Sequence, residues 1–236
     1  MNFILRWLTK NEYGKLEILT EDSSLHFITT FEVVGAHVWR CRTRALGFSG
    51  CSRSIKFSFV VDICVRTDPQ SPSLYYVNAF TDACATLRNR DLMEHPLCYA
   101  ARFIRDAKNS ITDKFVISST DYLEVKKPLR SENEGVDMLS ASSRWLFPLN
   151  NADFGWGNPF HVGLVREEHR WEIIFMPSHP CHDDGVNGGE LVLLLSLPIP
   201  VLPKFAELII HESDITNSTW RYTFECYLQW VVAQHD

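Results

Sequence analysis

Long apolar runs are missing from this 236-residue chain. The longest, LVLLLSLPIPVL at 191–202, is too short to span a bilayer and is broken by Pro198 and Pro200. The opening stretch, MNFILRWLTKNEYGK, joins no apolar core to a small-residue cleavage site, so no signal peptide is read there. Basic residues are also scarce. Lys and Arg number 23 against 29 Asp and Glu, the formal net charge is −6, and no basic patch stands out. That argues against a nucleic-acid partner. The one local cluster, Arg40, Arg42 and Arg44, falls in a helical stretch and reads as a solvated polar face. The seven cysteines are odd in number and form no CxxC pair, which argues against a disulfide scaffold and for a reducing compartment. No GxSxG elbow, P-loop or dinucleotide-binding glycine fingerprint is present. What remains is a globular composition, 45% hydrophobic and 22% charged, read as a soluble, cytosolic protein.

Periodicity supplies the elements. Thr29 and Glu32 stand at capping-box spacing ahead of an apolar stripe, Val34, Val38, Cys41 and Ala45, that Gly47 can end. IKFSFVVDICVR alternates as a strand: Ile55, Phe57, Phe59, Val61, Ile63 and Val65 take one face. Lys56, Ser58, Asp62, Cys64 and Arg66 take the other. TDPQSPS turns the chain, and LYYVNAFT reads as a second strand. HPLCYAARFIRDAKNSITDKF predicts one continuous helix with Pro96 at its first position and Leu97, Ala100, Ile104, Ala107, Ile111 and Phe115 on one face. VDMLSASS, FHVGLV, RWEIIFMP and GELVLLLSL predict strands, and PKFAELIIHE a short helix. Strands outnumber helices, with a long helix among them, so the expected class is α+β or mixed α/β, a sheet layered with helices. The tail is rich in aromatics, and Trp220, Phe224, Leu228 and Val231 can stripe one helix face against the core.

DFGWGNP at 153–159 fits neither helix nor strand. Two glycines around a Trp predict a tightly turned backbone with the ring held in place. With this loop in position, the order of the pieces over roughly 25–210 resembles the C-terminal half of plant BAHD acyltransferases, enzymes that move an acyl group from a CoA thioester to an alcohol or amine. TTFEVVGAHVWRCRTRALG resembles the helix that opens the family's second domain. VVDICVR resembles its VD-x-R-x-R strand, with Asp62 and Arg66 matching. YYVN resembles GYxGN, with Asn78 matching, and DDGVN at 183–187 resembles a later DGG turn. The resemblance implies a single chloramphenicol-acetyltransferase-like domain over 25–212, a mixed β-sheet with flanking helices. Residues 1–24 would be the remnant of an interdomain crossover and 213–236 a divergent tail. It implies a structural loop, Asp153, Phe154, Gly155, Trp156 and Gly157, in which Asp153 anchors by salt bridge or hydrogen bond and Trp156 packs. It implies a CoA- and acyl-facing wall of Ser142, Asn78 and Arg66. Acyl-CoA would be a co-substrate, with no tightly bound cofactor, no metal and no membrane partner.

In the family a histidine of a His-x-x-x-Asp motif takes the acceptor's proton before the thioester is attacked. That motif belongs to the first domain, for which this sequence offers no counterpart ahead of DFGWG. His179 and Asp183 repeat the spacing in HPCHD, but they follow DFGWG. That stretch, which also holds Cys181, His182 and Asp184, reads as a solvated polar loop rather than a base or a metal site. His37 reads as a satisfied helix residue. The strand before DFGWG departs from the family's T-x-W-x-R-L-P-F. Ser142 stands for the Thr and Arg144 for the Trp. Cys64 replaces an Arg and Val77 a Gly. Two readings follow: an acyltransferase half, weakly active or inactive alone, or a non-catalytic domain that binds CoA esters or associates with a full-length relative.

Overall fold

The computed structural model describes residues 2–7, 28–48, 52–68, 70, 72, 78–126, 136–143, 153, 155–157, 172–177, 191–211 and 222–223. Helix α1 (Thr30–Ala45) forms where its signals stand. Thr29 Oγ1 accepts from Glu32 N at 3.3 Å, and Thr29 N donates to Glu32 Oε2 at 3.0 Å. Gly47, at φ +76, ends it, a backbone conformation that glycine takes without strain.

The other elements are β1 (Asn2–Trp7), β2 (Ser54–Asp62), β3 (Phe80–Arg88), α2 (Asn89–Glu94), α3 (Leu97–Asn109), α4 (Asp113–Lys126), β4 (Met138–Ser143), β5 (Glu172–Pro177), β6 (Leu191–Ser196), α5 (Leu202–His211) and β7 (Tyr222–Thr223). The strands make one mixed sheet in the order β3-β2-β4-β5-β6-β1-β7. β4 lies parallel to β2 and β5, and the remaining pairs are antiparallel. One face is apolar: Ile55, Phe57, Phe59 and Val61, then Ala83, Ala85 and Leu87, then Leu139, Ala141, Ile173, Phe175, Leu193 and Leu195, are all buried. Helix α1 packs there. The Phe31 ring lies 4.9 Å from Phe175 and 5.5 Å from Phe59, and Trp39 lies 5.6 Å from Phe57. A Cβ on Gly35 would stand 3.0 Å from Phe57 Cζ, so the glycine lets the helix approach the sheet. Helices α3 and α5 also contact α1.

Several expectations need correction. Arg40 and Arg42 are buried, not solvated. Arg40 donates from Nε to Leu92 O at 3.0 Å and from Nη2 to His95 O at 2.7 Å. Arg42 Nη2 donates to Val136 O at 3.1 Å and Met138 O at 3.3 Å. A guanidinium with fixed donors can be buried where carbonyls face it, and charge spacing alone does not reveal those carbonyls. The first strand stops at Asp62, because Asp62 Oδ1 accepts from Cys64 N at 2.8 Å and turns Cys64–Arg66 out of the sheet. The second strand falls at Phe80–Arg88, later than LYYVNAFT; residues 73–77 lie outside the described residues. The long helix is two. Ser110 Oγ donates to Ala107 O at 2.7 Å, and Thr112 Oγ1 accepts from Phe115 N at 3.3 Å, so a stop and a new cap sit inside the periodic run. Pro96 is the cap residue of α3 rather than its first helical residue, and Phe115 is exposed. Asn2–Trp7 pairs along its length with β6. Tyr222–Thr223 pair with β1 instead of continuing a helix; Trp220, Phe224, Leu228, Val231 and FHVGLV lie outside the described residues.

Glu32 is almost wholly buried, and Arg105 of α3 reaches it with Nη2 at 3.1 Å and Nε at 3.2 Å. Removing one partner of a buried pair strands the other. Arg105→Ala should therefore cost about 2 kcal/mol in urea unfolding, and Arg105→Lys should recover only part, because lysine lacks the fork.

Candidate functional site

The parallel strands β2 and β4 run toward the same end of the sheet, and the β2–β3 connection closes there. Ser142 lies one residue past Ala141, whose partner in β2 is Phe59. Asn78 precedes Ala79, whose carbonyl accepts from Ile63 N at 3.0 Å just past β2. Arg66 sits in the turn that follows. The topology thus brings Ser142, Asn78 and Arg66 to one end of the sheet. Ser142 is half-buried and alternates with the inward Leu139 and Ala141, so it occupies the face away from α1; Asn78 is exposed.

Arg66 has a structural task. Its Nη1 donates to Lys108 O and to Ile111 O, both at 2.9 Å. Asp68 N donates to Asp113 Oδ1 at 3.1 Å close by. These bonds fasten the turn after β2 to the α3–α4 corner, where helix-end carbonyls need donors. Sequence reasoning missed this contact. The signal lay in Thr112 and Asp113, a cap and a first-turn acid inside an apparently continuous helix.

In the Gly-Trp-Gly loop, Asp153 Oδ1 accepts from Gly155 N at 2.7 Å and Gly157 N at 3.0 Å. Gly155 and Gly157 stand at φ +96 and +92, conformations a Cβ resists. Asp153 is the hydrogen-bond anchor of its loop. It is exposed, however, and Trp156 is 95% exposed, so the expected packed ring is corrected. The carboxylate finds its partners within five residues, and flanking glycines give the ring nothing to pack on. Phe154, His179 and Asp183 lie outside the described residues.

No described histidine lies on the strands of this sheet. His37 is buried on α1, with Nε2 3.2 Å from Ile209 O and its ring 3.8 Å from Cys41 Sγ. It is a core residue, away from the Ser142 face. Burial pushes the Cys41 thiol up to about 12, with Arg40 and Arg44 pulling the other way. Burial likewise lowers the Arg42 guanidinium to about 10, opposed by Asp137. Among the described residues no three His, Cys, Asp or Glu side chains stand close enough to hold a metal ion, and no helix is long and apolar enough to cross a membrane. What this end of the sheet offers is hydrogen-bond donors: the Ser142 hydroxyl and the Asn78 amide.

Comparison with known proteins places these pieces. A model described as "Transferase family" matches residues 3–208. Omega-hydroxypalmitate O-feruloyl transferase of Arabidopsis thaliana is 30% identical over 195 residues, 82% of this chain and 40% of that protein. Hydroxycinnamoyl-CoA:5-hydroxyanthranilate N-hydroxycinnamoyltransferase HHT1 of Avena sativa is 28% identical over 209 residues, 86% of this chain and 45% of that protein. Benzyl alcohol O-benzoyltransferase of Petunia hybrida is 31% identical over 142 residues, 60% of this chain and 30% of that protein. The chain spans less than half the length of each of these relatives. Among solved structures, TRI101 of F. graminearum complexed with ethyl coenzyme A aligns with a TM-score of 0.71 at 18% identity, covering 94% of this chain and 49% of that one. Vinorine synthase aligns at 0.62 and 16% identity, covering 89% and 47%. At those identities the likeness shows the fold.

Two outcomes follow from the geometry. Asp153→Asn should keep the loop, because the amide oxygen can still accept both bonds, whereas Asp153→Ala should loosen it by about 1 kcal/mol, read as faster amide exchange at Gly155 and Gly157. In native protein a thiol reagent should modify exposed Cys84 promptly and leave Cys41 untouched until unfolding.

Proposed function

We propose, because this chain belongs to the BAHD family of acyltransferases, that it carries the donor-facing half of an acyl-CoA-dependent transfer site. The observation that carries this reading is the placement of Ser142 and Asn78 at one end of the sheet, within a stretch matched to the family over residues 3–208. The acyl donor is an aromatic CoA thioester, a class supported by the feruloyl, hydroxycinnamoyl and benzoyl groups in the relatives' names. The acceptor is an alcohol or an amine, and the setting is the cytosol.

In the transfer, a base takes the proton of the acceptor's hydroxyl or amine. The freed oxygen or nitrogen bonds to the thioester carbonyl carbon, the C–S bond breaks, and the sulfur leaves as the thiol of CoA after protonation. Ser142 donates a hydrogen bond toward the acyl donor, and Asn78 lines the same end. Arg66 holds the turn after β2 at the same end of the sheet. The base comes from outside the 236 residues: the family's His-x-x-x-Asp has no counterpart ahead of DFGWG. General-base help is typically worth about 10²–10⁴-fold, and positioning by the facing half of a cleft adds to that.

The test is release of free thiol from feruloyl-CoA by the purified chain, with a panel of alcohols and amines, beside thermal unfolding with and without the ester. The expected outcome is no turnover above background, with a melting temperature that rises on adding feruloyl-CoA. Ser142→Ala should shrink that rise. Turnover abolished by His179→Ala would overturn the assignment of the base and make HPCHD catalytic. Absence of any shift with feruloyl-CoA, acetyl-CoA or CoA would overturn the half-site.

A further inference from the structure

The face of the sheet turned away from α1 is not uniformly covered. Ser58 is only 8% exposed and Ile174, on β5, is fully buried. On β2 and β3 most of this face is exposed, and toward the end that holds Ser142 its exposed residues include two apolar ones: Val60 is 39% exposed and Phe80 is 52% exposed. Both lie on that face, since they alternate with the inward Phe59 and Val61 and with the inward Ala83 and Ala85. Val60 stands opposite Asp82, and Phe80 stands opposite Asp62. Val60 and Phe80 are therefore diagonal neighbours across two strands, within reach of an aromatic side chain. Ser142 follows Ala141 as Val60 follows Phe59, its partner. From β4 to β3 the outer face reads hydroxyl, methyls, ring.

We propose that Phe80, with Val60 beneath it, is a specificity-determining residue that receives the aromatic ring of the acyl donor when the thioester lies at Ser142. The inference rests on the half-site reading above and names the wall that selects the acyl group. Two strand spacings across and two residues along separate Ser142 from Phe80, about 12 Å. A ring carried on a propenoyl arm spans that distance far better than a two-carbon acetyl group. Ring-on-ring contact offset or edge-on is favourable beyond the area it covers. Two side chains are too small a pad for a stable protein interface, which needs on the order of 800 Å² from each partner. Charge agrees. Asp62 lies on the same exposed face, opposite Phe80, and a carboxylate opposes the phosphates of CoA. The uncharged acyl end of the ester suits this spot and the nucleotide end does not.

The experiment measures dissociation constants of feruloyl-CoA, acetyl-CoA and CoA for the full chain and for Phe80→Ala and Phe80→Leu, by calorimetry, with circular dichroism and melting temperature to confirm folding. The expected result is tighter binding of feruloyl-CoA than of acetyl-CoA, a preference that Phe80→Ala reduces by about three- to tenfold. Phe80→Leu should fall between, and acetyl-CoA affinity should stay within about twofold throughout. A preference for feruloyl-CoA that survives Phe80→Ala in folded protein overturns this inference and leaves the half-site standing. Equal affinity for feruloyl-CoA and acetyl-CoA in the unmodified chain does the same. Failure of every CoA ester to bind overturns both.

Discussion

Helix α1 is buried on nearly every side, and a buried helix can hold Glu32, His37, Arg40 and Arg42 only where its surroundings supply partners. Those partners fix much else. Arg40 ties the end of α2 and the step into α3, through the carbonyls of Leu92 and His95. Arg42 ties the start of β4, through those of Val136 and Met138. Glu32 holds α3 through Arg105. Leaving one such group unpaired costs about 1–3 kcal/mol, a large share of a domain's net stability. The register of β4, and so the position of Ser142 four residues beyond Met138, is set from inside the core.

At the site end of the sheet the fold consumes some polar groups and leaves others. Asp62 is engaged with Cys64 N, Asp113 with Asp68 N, and Arg66 with two helix-end carbonyls. Among the described residues, Asp153 bonds within its own loop. A residue shared with a family motif can thus be fully explained by folding. The chemistry proposed for this end uses side chains with simpler roles, a hydroxyl, an amide and an exposed ring.

The parts legible in the sequence were those governed by near neighbours. Thr29 and Glu32 lie three apart and cap as their spacing predicts, and the alternation from Ile55 to Val61 survives as a buried face. The class of fold and the family followed from the order of such pieces. What stayed hidden depended on contacts distant in sequence. Arg40 and Arg42 meet carbonyls 52 to 96 residues away, so their spacing mimicked a solvated face. Ile63 and Val65 continued the apolar alternation while Asp62 had already turned the backbone. Leu97 to Phe115 kept helical period across a break set by Ser110 and Thr112. The exposure of Phe80 also escaped notice, because a strand residue shows its uncovered side only once its neighbours are placed.

Strand β1 lies between β6 and β7, pairing Asn2 with Ser196 and Trp7 with both Leu191 and Tyr222. During synthesis β1 must therefore be released long before its partners β6 and β7 are made. Until β6 appears, the edges of Asn2–Trp7 have no mates in this sheet. Pairings this distant raise the contact order and slow folding. Such unpaired edges are where aggregation and strand exchange begin. β1 can take its place in the sheet only after β6 is made, which leaves the stretch around Phe3, Ile4 and Leu5 without its sheet partners during synthesis.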